Sequence, residues 1–199
     1  MNIAALGVAR AASAGLATLG ESLKDTVVEV RGDRGSSGTG IIWGGAGLVV
    51  TAAHCVPRGA AIRVETNGTW RNAELVAYHE HHDLALLATP HARGAVLAIR
   101  EPDSLRAGEL VFAYGHPLGV RDALAMGVLH GVVRDHRSGA ARWIVADVRL
   151  APGNSGGPLV DGEGALIGLN AMVVNGLGAA VPATVVQRFV EQALAQRAA

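Results

Sequence analysis

Three short stretches of this chain carry side chains that could move a proton, steady a charge and attack a carbonyl. The first is Thr51-Ala52-Ala53-His54-Cys55. Its histidine follows a strand-like run, and the small residues beside it leave the imidazole open to approach. Imidazole is the side chain best suited to shuttle a proton near neutral pH. The second is His82-Asp83-Leu84-Ala85-Leu86-Leu87. There a single acid sits at the mouth of an apolar strand, where its carboxylate can be partly buried and accept a hydrogen bond from an imidazole. The third is Pro152-Gly153-Asn154-Ser155-Gly156-Gly157-Pro158-Leu159. A serine hydroxyl is a weak nucleophile without a neighbouring base. It also needs backbone N–H donors for the oxyanion of the tetrahedral intermediate. Gly153 and Ser155 can aim two such donors at one point if Gly153 takes a backbone conformation that other residues resist. His54, Asp83 and Ser155 are therefore the candidate catalytic residues, and the N–H groups of Gly153 and Ser155 the candidate oxyanion donors.

The elements that must bring these stretches together are mostly strands. β-branched and alternating runs at 26–30, 41–43, 48–51, 61–65, 69–78 and 84–88 are separated by turn residues, with Gly32 to Gly40 read as a Gly/Ser turn and Asn67-Gly68 as a hairpin signal. A polar bridge at 101–106, containing Pro102 and Asp103, divides the chain. Further strands are expected at 109–114, 125–133, 143–148, 158–160, 166–172 and 178–181. Short turn-bounded strands without intervening helices argue for barrels and against a parallel α/β sheet. Two regions break this pattern. Leu16, Leu19 and Leu23 lie at helical spacing in the first 24 residues. Val185, Val186, Phe189, Val190 and Leu194 do so after Pro182. No internal repeat of fixed period is visible.

Composition narrows the classes. Of 199 residues, 50% are hydrophobic and 17% charged, so the chain can build a core, but aromatics are only 4% and the core must be Val, Leu, Ile and Ala. Formal net charge is zero and no basic stripe is present, so nucleic acid is not an expected partner. The lone Cys55 cannot form an internal disulfide. The N-terminal stretch lacks a basic start and is interrupted by Arg10, so it reads as a helix in preference to a signal peptide or anchor, and no other run is long enough to span a bilayer. The compartment stays open on this reading, with the cytoplasm favoured over export.

Together the three stretches resemble those of the trypsin/chymotrypsin superfamily, in the chain order His, Asp, Ser. Their separations, 29 and 72 residues, resemble the compact HtrA/Deg-type protease domain. Tyr114-Gly115-His116-Pro117-Leu118-Gly119 is similar to that family's Gly-Asn-Pro-Phe-Gly turn. Ile167-Gly168-Leu169-Asn170 is similar to its strand after the nucleophile. Gly178-Ala179-Ala180-Val181-Pro182 is similar to its entry to the last helix. The resemblance runs over residues 25–190.

The resemblance implies an all-β fold of two six-stranded antiparallel barrels, with a short N-terminal helix and a C-terminal helix. The N-terminal segment would be 1–24 and the protease domain 25–199, with barrels near 25–100 and 107–182 and a helix near 183–196. It implies a serine endopeptidase acting on polypeptides through an acyl-enzyme, with no cofactor and no metal. A homo-oligomer is compatible with it. Substrate would pair with Asn170-Ala171-Met172, and the P1 pocket would be walled by Leu150, Ala151 and the loop Met172 to Gly178. These residues include no acid to select Arg or Lys, so a small or medium apolar P1 residue is expected. The alternative is a latent, inactive peptide-binding module with a collapsed oxyanion loop. Ser155 is not read as the nucleophile elbow of an esterase. The chain stops at Ala199, so the PDZ domain usual in that family, and the peptide sensing it provides, are not expected. Cys55, which lacks the disulfide partner usual in trypsins, is read as a small buried hydrophobe. His79, His81 and His82 are read as a solvated loop leading to Asp83, and His116, His130 and His136 receive no role. Sixteen arginines against the single Lys24 suit a GC-rich bacterial origin.

Overall fold

The computed structural model describes residues 3–59 and 61–198. The first barrel is built from β1 (Val27–Arg31), β2 (Ser37–Trp43), β3 (Ala46–Ala52), β4 (Ile62–Thr66), β5 (Thr69–His79) and β6 (Leu84–Arg93). The strands close in the order β1-β2-β3-β6-β5-β4, and β4 pairs back onto β1. The second contains β7 (Leu110–Gly115), β8 (Ala123–Arg134), β9 (Ala141–Asp147), β10 (Pro158–Asp161), β11 (Leu166–Val174) and β12 (Leu177–Pro182). Read from β7 it closes as β7-β8-β9-β12-β11-β10, which is the ring order of the first barrel repeated. Every pairing between these strands is antiparallel. The chymotrypsin-like double barrel expected from the sequence is the fold.

Helix α1 (Ile3–Lys24) ends beside the second barrel. Leu23 is fully buried and Leu16 and Leu19 partly so, in a cluster with Val27, Phe112, Tyr114 and Val160. The helical leucine stripe is therefore the face that anchors this helix. Met1 and Asn2, part of the predicted N-terminal segment, lie outside the described residues. Among the described residues no helix is long and apolar enough to cross a membrane. Helix α2 (Ala183–Ala198) packs on β6, β11 and β12 through Val185, Val186, Phe189 and Val190. Leu194, counted in its apolar stripe from spacing, is 40% exposed, and Ala193 takes the buried position in its place.

β4 shows the alternation of a strand with one face inward: Ile62, Val64 and Thr66 are buried. Leu84, Ala85, Leu86 and Leu87 of β6 are all buried, because this strand has the barrel interior on one side and α2 near the other. The core is aliphatic as the composition requires, and Tyr114 is the one aromatic among the largest fully buried side chains. Asn67 and Gly68 form the β4–β5 hairpin at φ 51° and 76°, the left-handed pair such a turn demands.

Several boundaries differ from the sequence reading, among them the end of β6, which runs past the expected 88 to Arg93. Gly38, Thr39 and Gly40, taken as turn, belong to β2, which begins at Ser37. Side chains at Gly38 and Gly40 would collide with Cys55 and Val49, so glycine there reflects close packing inside a strand. The expected loop from Met172 to Gly178 is a tight hairpin, since β11 runs on to Val174 and β12 starts at Leu177.

Candidate active site

His54 lies in a single 3-10 turn immediately after β3, and Asp83 immediately precedes β6, the neighbour of β3 in the sheet. Sheet pairing alone therefore sets the two residues side by side. Asp83 grips the histidine twice. Its Oδ1 accepts the backbone N–H of His54 at 2.9 Å, and its Oδ2 lies 2.7 Å from Nδ1. Asp83 has φ 53°, a left-handed conformation that Asp tolerates better than most residues. The hydrogen bond to Asp83 is the main cause that pushes His54 up to about 10 from 6.5. The His54 side chain remains half exposed, with its far edge open to a ligand, while Asp83 is 18% exposed.

The third stretch arrives from the other barrel as the turn before β10. Three contacts fasten it to the first barrel. Thr39 N–H donates to the Ser155 carbonyl at 2.8 Å, and Thr39 Oγ1 donates to the Gly153 carbonyl at 2.7 Å. Cys55 Sγ, next to His54, lies 3.8 Å from the same Ser155 carbonyl. Thr39 is fully buried and also accepts the N–H of His116. Sequence reasoning does not reach it, because it lies 114 residues from Gly153 within a stretch whose glycines signal a turn. A buried threonine in a Gly-Thr-Gly strand is the only local hint. Cys55 is free and buried, as expected of a small hydrophobe.

Gly153 has φ +106°, and a Cβ there would lie 2.5 Å from the His116 carbonyl oxygen and 2.8 Å from Pro117 Cα. Only glycine fits on both counts. The conformation sends the Pro152 carbonyl to Leu118 N–H at 2.9 Å and the Gly153 carbonyl to Thr39. The N–H groups of Gly153 and Ser155 make no hydrogen bond among the described residues. A collapsed loop would turn a carbonyl toward those donors, but both nearby carbonyls are held elsewhere. Ser155 Oγ donates to the Ala171 carbonyl at 3.3 Å, and no hydrogen bond joins it to His54 in this conformer.

The remaining candidates divide. Asn170 is buried, and its backbone is already used: Gly156 donates to its carbonyl, and its own N–H donates to Gly157. It braces the Ser155 turn, and its main-chain N–H is already engaged there. Ala171 is buried at a bulge in β11, and Met172 is 41% exposed beside it. Leu150 and Ala151 are half-buried, and a Cβ built on Gly178 would stand 3.2 Å from Leu150 Cδ1, so Leu150 and Gly178 are close neighbours. Gly153-Asn154-Ser155-Gly156-Gly157 does have the letters of the esterase elbow. Ser155 is followed by strand β10 where the elbow requires a helix, so the match is one of letters only.

The fold and this site define a double-barrel peptidase domain. The chain belongs to the trypsin-like peptidase family, whose domain profile matches residues 38–169. Its relatives are HtrA/Deg-type serine proteases. It is 32% identical over 170 residues to Protease Do-like 1, chloroplastic, of Arabidopsis thaliana, a match covering 78% of this chain and 39% of that one. It is 34% identical over 164 residues to Serine protease HTRA4 of Mus musculus, covering 78% and 34%. Among solved structures, the HtrA-type protease AlgW with tripeptide superposes with a TM-score of 0.78 at 28% identity, covering 88% of this chain and 62% of that chain. The serine endoprotease from Yersinia pestis gives 0.78 at 25%, covering 89% and 66%. The chain thus spans well under half the length of these two curated relatives.

Proposed function

We propose that this domain is a serine endopeptidase that cleaves polypeptides through an acyl-enzyme, with His54, Asp83 and Ser155 as its triad. His54 takes the proton of Ser155 as Oγ attacks the peptide carbonyl. The N–H groups of Gly153 and Ser155 receive the oxyanion. His54 then gives its proton to the leaving amine, and water repeats the sequence to release the acid. Asp83 holds the Nδ1–H tautomer so that Nε2 is the basic edge.

The observation that carries this reading is the pair of unclaimed N–H donors beside Ser155, kept open by the positive φ of Gly153. Donors aimed at developing charge commonly supply the largest single share of catalysis. The reading requires Ser155 Oγ to leave the Ala171 carbonyl for His54 Nε2 when substrate binds. For P1, Leu150, Ala151 and the segment from Met172 to Gly178 carry no acid, which supports a small or medium apolar side chain.

The test is hydrolysis of casein and of a peptide library by wild type and by Ser155→Ala, with fluorophosphonate labelling alongside. The reading expects labelling at Ser155, loss of hydrolysis in the variant, and cleavage after Ala, Val or Leu. A wild-type chain that is folded but neither labels nor cleaves overturns it. A profile dominated by Arg or Lys overturns the P1 assignment alone.

A further inference from the structure

A second cleft, away from the Ser155 turn, has no part in the chemistry above. It is bounded by the β5–β6 turn, the β8–β9 hairpin and α2, with a volume of about 410 Å³. Its floor is apolar: Trp143, Val181, Val185 and Phe189 line it. Its rim carries His79, His81, His82, Arg142 and Arg188.

The side chains of these two arginines make no hydrogen bond or ion pair among the described residues, whereas those of Arg31, Arg100, Arg106, Arg121, Arg134 and Arg197 do. One carboxylate, that of Asp135, also lines the cleft, but it is spent on its own turn. It accepts from the N–H groups of Arg137 and Ser138 and from the Ser138 hydroxyl. His79 and His82 stack at 4.4 Å, and His79 Nδ1 accepts the backbone N–H of His82. That bond uses up one ring nitrogen and disfavours metal ligation. Burial first, then the charges of His79, His81, Arg188 and Arg142, hold His82 below the usual imidazole range. An incoming negative charge would relieve that repulsion.

We infer that this cleft is an exosite for an acidic, partly apolar segment of the polypeptide substrate, its carboxylates paired with Arg142 and Arg188 and its apolar side chains laid on Trp143 and Phe189. The inference rests on the peptidase reading, which makes a polypeptide the ligand. Guanidinium groups suit carboxylates because they present paired donors in a fixed fork. The apolar floor separates this site from one built for a bare inorganic anion, and the formal net charge of zero argues against a general polyanion surface. The cleft includes His82, one residue before Asp83 in the chain, and a substrate seated here is held on the same domain as the catalytic residues, which raises its effective concentration there.

The experiment uses the full chain carrying Ser155→Ala, so that binding is read without cleavage. Fluorescence anisotropy follows a labelled hexapeptide alternating Glu and Leu, and a counterpart with Gln in place of Glu. The acidic peptide should bind at least about tenfold more tightly than the amide one. Arg142→Gln with Arg188→Gln should abolish that preference while the circular dichroism and Tm stay at the parent's. By NMR, the His82 imidazole should titrate at higher pH with the acidic peptide bound. Equal binding of the two peptides, an unchanged preference in the double variant, or inorganic phosphate competing as well as the peptide would each overturn the exosite. Failure of wild type to hydrolyse any substrate would count against the peptidase reading separately, since the binding measurement does not depend on it.

Discussion

The sharpest test of the site is Asp83→Asn, because the structure dictates which way the amide must face. Asp83 Oδ1 accepts the backbone N–H of His54 at 2.9 Å, and that N–H can only donate. An asparagine must keep its oxygen there. Its NH₂ then replaces Oδ2, which lies 2.7 Å from His54 Nδ1. Nδ1 is forced to accept, the ring proton moves to Nε2, and the edge that should take the Ser155 proton already carries one. The carboxylate that steadies the imidazolium is lost as well, a charge-assisted hydrogen bond on the order of 1.5–3 kcal/mol. Tautomer and charge together should lower kcat by about 10⁴-fold, roughly 5 kcal/mol of transition-state stabilisation. The fold should survive, since both hydrogen bonds remain and Asn accepts the φ of 53° as readily as Asp. Stability should fall on the order of 1.5–3 kcal/mol at neutral pH, where His54 of the parent is cationic, and hardly change above about pH 10. The assay is hydrolysis of a chromogenic peptide, paired with thermal unfolding and ¹⁵N shifts of the imidazole. A kcat within tenfold of wild type, or a ring still protonated at Nδ1, would refute the reasoning.

Three further outcomes follow from the same geometry. Gly153→Ala meets both a positive φ and two backbone atoms within 2.8 Å, so the loop must rotate and withdraw the Gly153 N–H; kcat should fall by about 10²–10³-fold with KM little changed, measured by steady-state kinetics. Thr39→Val keeps the shape but strips the partner from the Gly153 carbonyl and the His116 N–H; unfolding in urea should show a loss of about 2–4 kcal/mol, with kcat reduced as the oxyanion turn loosens. Folding holds His54 up to about 10, so its imidazolium is favoured over the neutral base. Activity should therefore rise with pH through a midpoint above 6.5, and stability from this group, fully present below 6.5, should fade as pH climbs through about 10. In Asp83→Asn, whatever activity survives should show its midpoint at lower pH.

Each of the three candidate stretches stands out by residue type: a histidine on a small-residue turn, an acid at a strand mouth, a serine among glycines. Hydrophobic alternation set most strand positions to within a residue or two, because the inward face of a strand is written locally. Gly38-Thr39-Gly40 was misread for the same reason. Glycine signals a turn by local propensity, whereas here it clears space for Cys55 and Val49 on distant segments. Leu194 was overcounted because spacing tells which residues share a stripe but not where a partner surface ends.

The sequence by itself determined the kind of chemistry available, the aliphatic core, and the alternation of strands that must roll into barrels. The identical ring order of the two barrels carries no repeating sequence signature, since a barrel asks only for inward apolar residues and many sequences supply them. Tertiary structure alone decided that Thr39 clamps a loop 114 residues away, that Asn170 spends its backbone on the Ser155 turn, and that His79, His82, Arg142 and Arg188 border one cleft. Those relations join segments from both barrels and α2. Local preference cannot specify them, because they exist only once burial of the two cores has fixed where every turn must lie.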